Sequence, residues 1–106
     1  MNPPNIQERA FDFACRIVRL TEHLSLRSIV TRTIARQLIR SGTSIGANLE
    51  EATAAQSKAD FISKCSIATK EARETRYWLR LFTASQSLRT ERLAPLMEEA
   101  DQILQS

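Results

Sequence analysis

The sequence predicts an all-α protein, an antiparallel up-and-down four-helix bundle filling one domain over residues 1–106. Three observations lead there. Only two glycines and three prolines are available to interrupt a helix. No segment alternates apolar and polar residues as a half-buried strand would. Apolar residues instead recur at 3-4 spacing in four stretches, separated by short polar connections that favour antiparallel neighbours. One hundred and six residues, 42% of them hydrophobic, suffice for one domain with its own core.

The first helix is expected after Pro3, Pro4 and Asn5, with Ile6, Ala10, Phe13, Ile17, Leu20 and Leu24 on one apolar stripe. "HLSLRS" breaks that pattern. The second helix is expected to start near Ser28 and to turn Val30, Ile34, Leu38, Ile45, Leu49 and Ala52 inward. Ser57 with Asp60 three residues later reads as a variant capping box. It opens a third helix with Phe61, Cys65, Ala68, Ala72, Thr75, Leu79 and Phe82 on its inner stripe, closed by the polar "ASQSLRTER". The fourth is shorter and carries Leu93, Leu96 or Met97, Ala100, Ile103 and Leu104. Pro95 is expected near its start, where a missing N–H costs least.

No apolar run approaches the roughly 20 residues of a membrane span, and "MNPPNIQERAFDF" lacks the basic start and apolar stretch of a signal peptide. The expected location is the cytoplasm, where Cys15 and Cys65 should be reduced and packed as small core residues. The formal net charge is +3. Twelve of the fifteen basic residues are arginine, which contacts phosphate through a planar, bidentate fork. Glu98, Glu99 and Asp101 give the C-terminal tip the opposite sign.

"RSGTSIGANLEEA", from Arg40 to Ala52, holds both glycines. A phosphate loop needs them five apart, followed by lysine and preceded by a strand. Here they are four apart, with neither. The inward period Ile34, Leu38, Ser41, Ile45, Asn48 or Leu49 and Ala52 crosses the stretch unbroken, so it reads as helix. Beside it runs the line Ala35, Ile39, Gly42, Gly46 and Thr53, small but for one isoleucine. Each interior glycine costs about 1 kcal/mol relative to alanine, and close approach of another helix would compensate. Ser41 and Asn48 should hydrogen-bond inward. Replacing Gly46 with leucine is expected to disturb packing or assembly.

The third helix carries a second apolar seam of Ile67, Trp78 and Leu81, with Glu71 and Glu74 inside it. It reads as an oligomer interface, or Trp78 caps the end of the bundle core. Arg73, Arg76 and Arg80 gather on the opposite edge of that helix, and Arg32, Arg36 and Arg40 recur every four residues on the second.

Four ordered motifs, "SGTSIGANLEEA" (Ser41 to Ala52), "SKADFISK" (Ser57 to Lys64), "IATKEARET" (Ile67 to Thr75) and "YWLRL" (Tyr77 to Leu81), resemble the signature of the four-helix-bundle family of 23S rRNA intervening-sequence proteins. That family also includes accessory proteins of diversity-generating retroelements. The resemblance covers nearly the whole chain. It implies a ring-like homopentamer and a basic surface that contacts RNA or DNA. In the retroelement branch it also implies partnership with a reverse transcriptase. The family has no established catalytic activity.

The leading expectation is therefore a non-enzymatic homo-oligomer that contacts nucleic acid through Arg32, Arg36, Arg40, Arg73, Arg76 and Arg80. Gly42, Gly46, Ile67, Glu71, Glu74, Trp78 and Leu81 serve oligomer contact or close helix packing. The arginines could equally pair with Glu50, Glu51, Glu71 and Glu74. The alternative is a scaffold that docks a protein without touching nucleic acid. An enzyme is disfavoured: His23 stands at a helix end, where its charge suits the dipole, with no nucleophile or carboxylate pair beside it. Glu71 and Glu74 lack the histidine of a Glu-x-x-His metal motif and are expected to pair with arginines across a subunit contact. No metal or cofactor is expected.

Overall fold

A computed structural model describes residues 5–24, 27–85 and 90–105, with side chains at 90–92 outside that description. Its four helices are α1 (Ile6–Glu22), α2 (Ile29–Thr53), α3 (Lys58–Ala84) and α4 (Thr90–Leu104). The caps follow from the local sequence. Asn5 accepts a hydrogen bond from the Glu8 N–H at 2.8 Å, and Ser28 accepts from Val30 and Thr31. Ser57 accepts from the Asp60 N–H at 3.0 Å. Each side-chain oxygen satisfies an amide left free in the first turn.

Helix α2 passes through both glycines without interruption. Its many hydroxyls bond their own helix: Ser41 to the Gln37 carbonyl, Thr43 to that of Ile39, Ser44 to that of Arg40. The polar character of "SGTSIG" is thereby absorbed by backbone one turn back, and no loop forms.

Among the described residues, the backbones approach closely between α1 and α2, α2 and α3, α3 and α4, and α1 and α4. Their inner faces share one hydrophobic core. Phe13, Ile17, Leu38, Ile45, Leu79, Phe82 and Leu93 are completely or almost completely buried there. Burying such a side chain contributes about 1.5–3 kcal/mol each. Ile6, Leu20, Leu24, Leu49, Trp78, Met97 and Leu104 are partly buried against that core.

Three expectations need correction. Val30 and Phe61 are 51% and 47% exposed, although both continue the inward stripe. Both sit in the first turns of α2 and α3, whose 25 and 27 residues exceed the 17 and 15 of α1 and α4, and the neighbouring Ile29 and Ile62 are exposed as well. Helix α4 begins at Thr90, which places Pro95 inside it rather than at its start. The fully buried Leu93 holds that early turn against the bundle. Cys15 and Cys65 are free thiols but only half-buried, each at the edge of the core. Of "ASQSLRTER", residues 86–89 lie outside the described residues, and its last three residues open α4.

Candidate nucleic-acid interface

The six candidate arginines divide by what surrounds them. On α2, the exposed Arg40 forms ion pairs with Glu71, at 3.3 Å, and Glu74, and also donates to Gln37 Oε1 at 3.0 Å. The carboxylates expected to reach across a subunit contact thus find their arginine within the same chain. Glu74 also accepts from Trp78 Nε1 at 3.1 Å. Arg32 donates to the Arg27 carbonyl at 3.4 Å. On α3, the half-buried Arg76 pairs with Asp101 and ties α3 to α4. Arg36, Arg73 and Arg80 are exposed and have no ion-pair partner among the described residues.

The helical period explains that division. At about 100° per residue, Thr75 and Leu79 point into the core and Glu71 and Glu74 lean toward α2. Arg76 leans toward α4. Arg73 and Arg80 face outward, and positions three and four away from either hold no carboxylate. No ion pair within α3 can therefore neutralise them. Tyr77 stands between them, 55% exposed, with its ring edge-on to Trp78 at 5.3 Å and 82°. Lys70 continues the same outward strip. Lys70 and Tyr77 were not singled out by periodicity, since both fall outside the two apolar seams. The usable signal was an aromatic residue flanked by basic ones on a helix's outer face.

The interface candidates also separate. Gly42 and Gly46 both face α1. A Cβ on Gly42 would sit 3.0 Å from Ile17 Cγ1, whereas one on Gly46 would meet the Ala10 backbone at an ordinary 3.5 Å. Trp78 packs partly against the core, while Ile67 and Leu81 remain exposed. Ser41 and Thr75 form a buried hydroxyl pair at 2.9 Å that joins α2 to α3. Asn48 is half-buried and donates to the Ser44 carbonyl within its own helix.

An apolar groove escaped the sequence reading. Phe11, Ala14, Cys15 and Val18 of α1 face Thr43, Gly46 and Ala47 of α2 across about 600 Å³, with Arg19 and Glu50 at the rim. Phe11 is 60% exposed. Phe11 and Val18 are seven residues apart, a spacing that could have marked a second stripe on α1. Glu8, Asp12 and Glu50 gather at one end of this groove. His23 is exposed, beside Arg16, Arg19 and Leu20 in a shallow cleft closed by Pro95 and Leu96. Among the described residues, no three His, Cys, Asp or Glu side chains are placed to hold a metal ion. No helix among them is long and apolar enough to cross a membrane.

Comparison with curated proteins found no significant match. Among solved structures, the chain is similar to a protein of unknown function from the S23 ribosomal protein family of Bacteroides thetaiotaomicron. The two share 40% identity over 95% of this chain and 93% of the other, with a TM-score of 0.88. The family model for 23S rRNA-intervening sequence proteins matches residues 4–106. With the motifs, the four helices and that structural likeness in agreement, the chain belongs to the 23S rRNA-intervening sequence protein family.

Proposed function

We propose that this protein is a non-enzymatic accessory protein that contacts nucleic acid through exposed arginines and works as a ring-like homo-oligomer. Each copy is read as an antiparallel up-and-down bundle. The contact registers support that topology: Ile17 meets Gly42 while Ala10 meets Gly46, and Arg9 reaches Glu99 while Leu20 approaches Pro95 and Leu96. The observation that carries the function is the pair Arg73 and Arg80, exposed on α3 without a carboxylate partner among the described residues. Arg40 and Arg76 already serve ion pairs, so they hold the strip in place more than they bind phosphate.

Assembly is supported by two unlike exposed apolar surfaces, the α1–α2 groove and the Ile67–Leu81 edge of α3. A contact between unlike patches is heterologous, and heterologous contacts close into rings when the rotation allows. Five copies is the ring size the family resemblance implies, and repetition would multiply a weak basic strip. Filter binding against RNA and DNA over a salt series tests the reading. Affinity should fall steeply as salt rises, because bound phosphates release counterions. No binding to either polymer at low salt would refute it.

A second reading is favoured by the groove itself: a scaffold that docks a protein, such as the reverse transcriptase implied by the resemblance, with nucleic acid incidental. Phe11 and Val18 are the apolar anchors such a partner would cover. A native pull-down that keeps a protein partner after nuclease treatment, from a chain that binds no nucleic acid, would select it.

A further inference from the structure

We infer that the outward face of α3 binds single-stranded RNA, with Tyr77 stacking an unpaired base between the phosphate contacts of Arg73 and Arg80. The inference rests on the nucleic-acid reading above and adds to it the strandedness and the residue that senses it. Three features of the face point there. Tyr77 is an aromatic side chain left 55% exposed on a helix whose core-facing positions are filled by Ala72, Thr75 and Leu79. Its ring is oriented by the edge-on contact with Trp78, itself tethered through Nε1 to Glu74. The exposed cations one turn to either side, Arg73 and Arg80, have no carboxylate partner among the described residues.

The chemistry decides between strand types. A duplex would satisfy the arginines through phosphate contacts alone, because its bases are stacked on one another and offer no face to a side chain. A single strand offers both phosphates and free base faces, and base–aromatic stacking tolerates any sequence. Unpaired loops and ends of RNA present such bases with no duplex to open, and proteins commonly take them on aromatic rings and guanidinium planes. Arg73 and Arg80 are seven residue steps apart, about 10 Å of helix, and in an extended strand that distance covers more than one nucleotide. The ring and its flanking charges can therefore engage neighbouring units of one strand. Arg76 completes the arrangement from below: paired with Asp101, it fixes α3 on α4 and keeps the strip facing outward.

The experiment is a fluorescence-anisotropy titration of the full-length protein with labelled oligouridylate, a duplex RNA and oligothymidylate of equal length. Tyr77→Ala should weaken oligouridylate binding about tenfold, within the range set by one stacked base. Tyr77→Phe should stay within about twofold, because the ring is kept. Arg73→Ala should lower the slope of log affinity against log salt by about 0.7 per contact, and Tyr77→Ala should leave that slope unchanged. Circular dichroism and light scattering identical to the wild type would confirm that the variants keep fold and assembly.

Oligouridylate binding that is insensitive to Tyr77→Ala overturns the stacking proposal and leaves the nucleic-acid reading intact. So does duplex binding as tight as single-strand binding. Equal affinity for oligothymidylate with the same Tyr77 dependence overturns the assignment to RNA. Failure to bind any of the three at low salt overturns both this proposal and the reading it rests on.

Discussion

Gly42 and Gly46 lie one turn apart on α2 and meet α1 in different ways. Ile17 is completely buried and stands 3.0 Å from where a Gly42 Cβ would be, with its branch atoms, not a flexible tip, in the way. Gly42→Ala should therefore lose more by overpacking than the roughly 1 kcal/mol that alanine returns to the helix. Thermal unfolding at fixed protein concentration should show a Tm lower by several degrees. Gly46→Ala meets only ordinary contact distances, so its Tm should hold or rise. Equal changes at both glycines would show that the α1–α2 approach is not what the residues serve. Periodicity placed both on one packing line. Which one is tight depends on whether isoleucine or alanine faces it across the gap, and that is set by the register of α1 on α2.

Helices α2 and α3 owe their starts to single serines and their interiors to long-range burial. Ser57→Ala should cost about 1 kcal/mol, because the Asp60 amide loses its acceptor. Chemical denaturation would show this as a lower midpoint at unchanged slope. An unchanged midpoint would mean that the first turn of α3, exposed at Phe61, is already frayed. Val30 and Phe61 keep the period but lie in first turns that stay exposed, and period alone does not record where along a helix burial begins. The extension of α4 back to Thr90 was hidden for a related reason. Thr90 to Arg92 read as part of the polar connection, whereas the fully buried Leu93, already on the expected stripe, favours helix in the turn before it. Ion pairing on α3 was half legible. Glu71 and Glu74 were recognisable as arginine partners, but whether that arginine came from the same chain or another copy could be answered only by the position of Arg40.

At the scale of the whole molecule, the proposed assembly by unlike contact uses two exposed apolar surfaces, the α1–α2 groove and the Ile67–Leu81 edge of α3. Light scattering should give a mass several times 12.0 kDa. Gly46→Leu is the sharper test, because Gly46 lines both the α1 contact and the open groove. A leucine there can extend into the groove, leave the bundle folded and block whatever docks against Phe11 and Val18. The expected result is native-like circular dichroism with a reduced mass. Wild-type mass from a folded variant would remove the groove from the assembly contact. The sequence by itself determined the four helices, the starts of the first three, most of the core and the family, because period and capping are local properties of the chain. Only tertiary structure decided which arginines take ion pairs, which glycine is tightly packed and where apolar surface is left uncovered. Each depends on what a neighbouring helix places opposite a side chain, and no spacing within one helix records that.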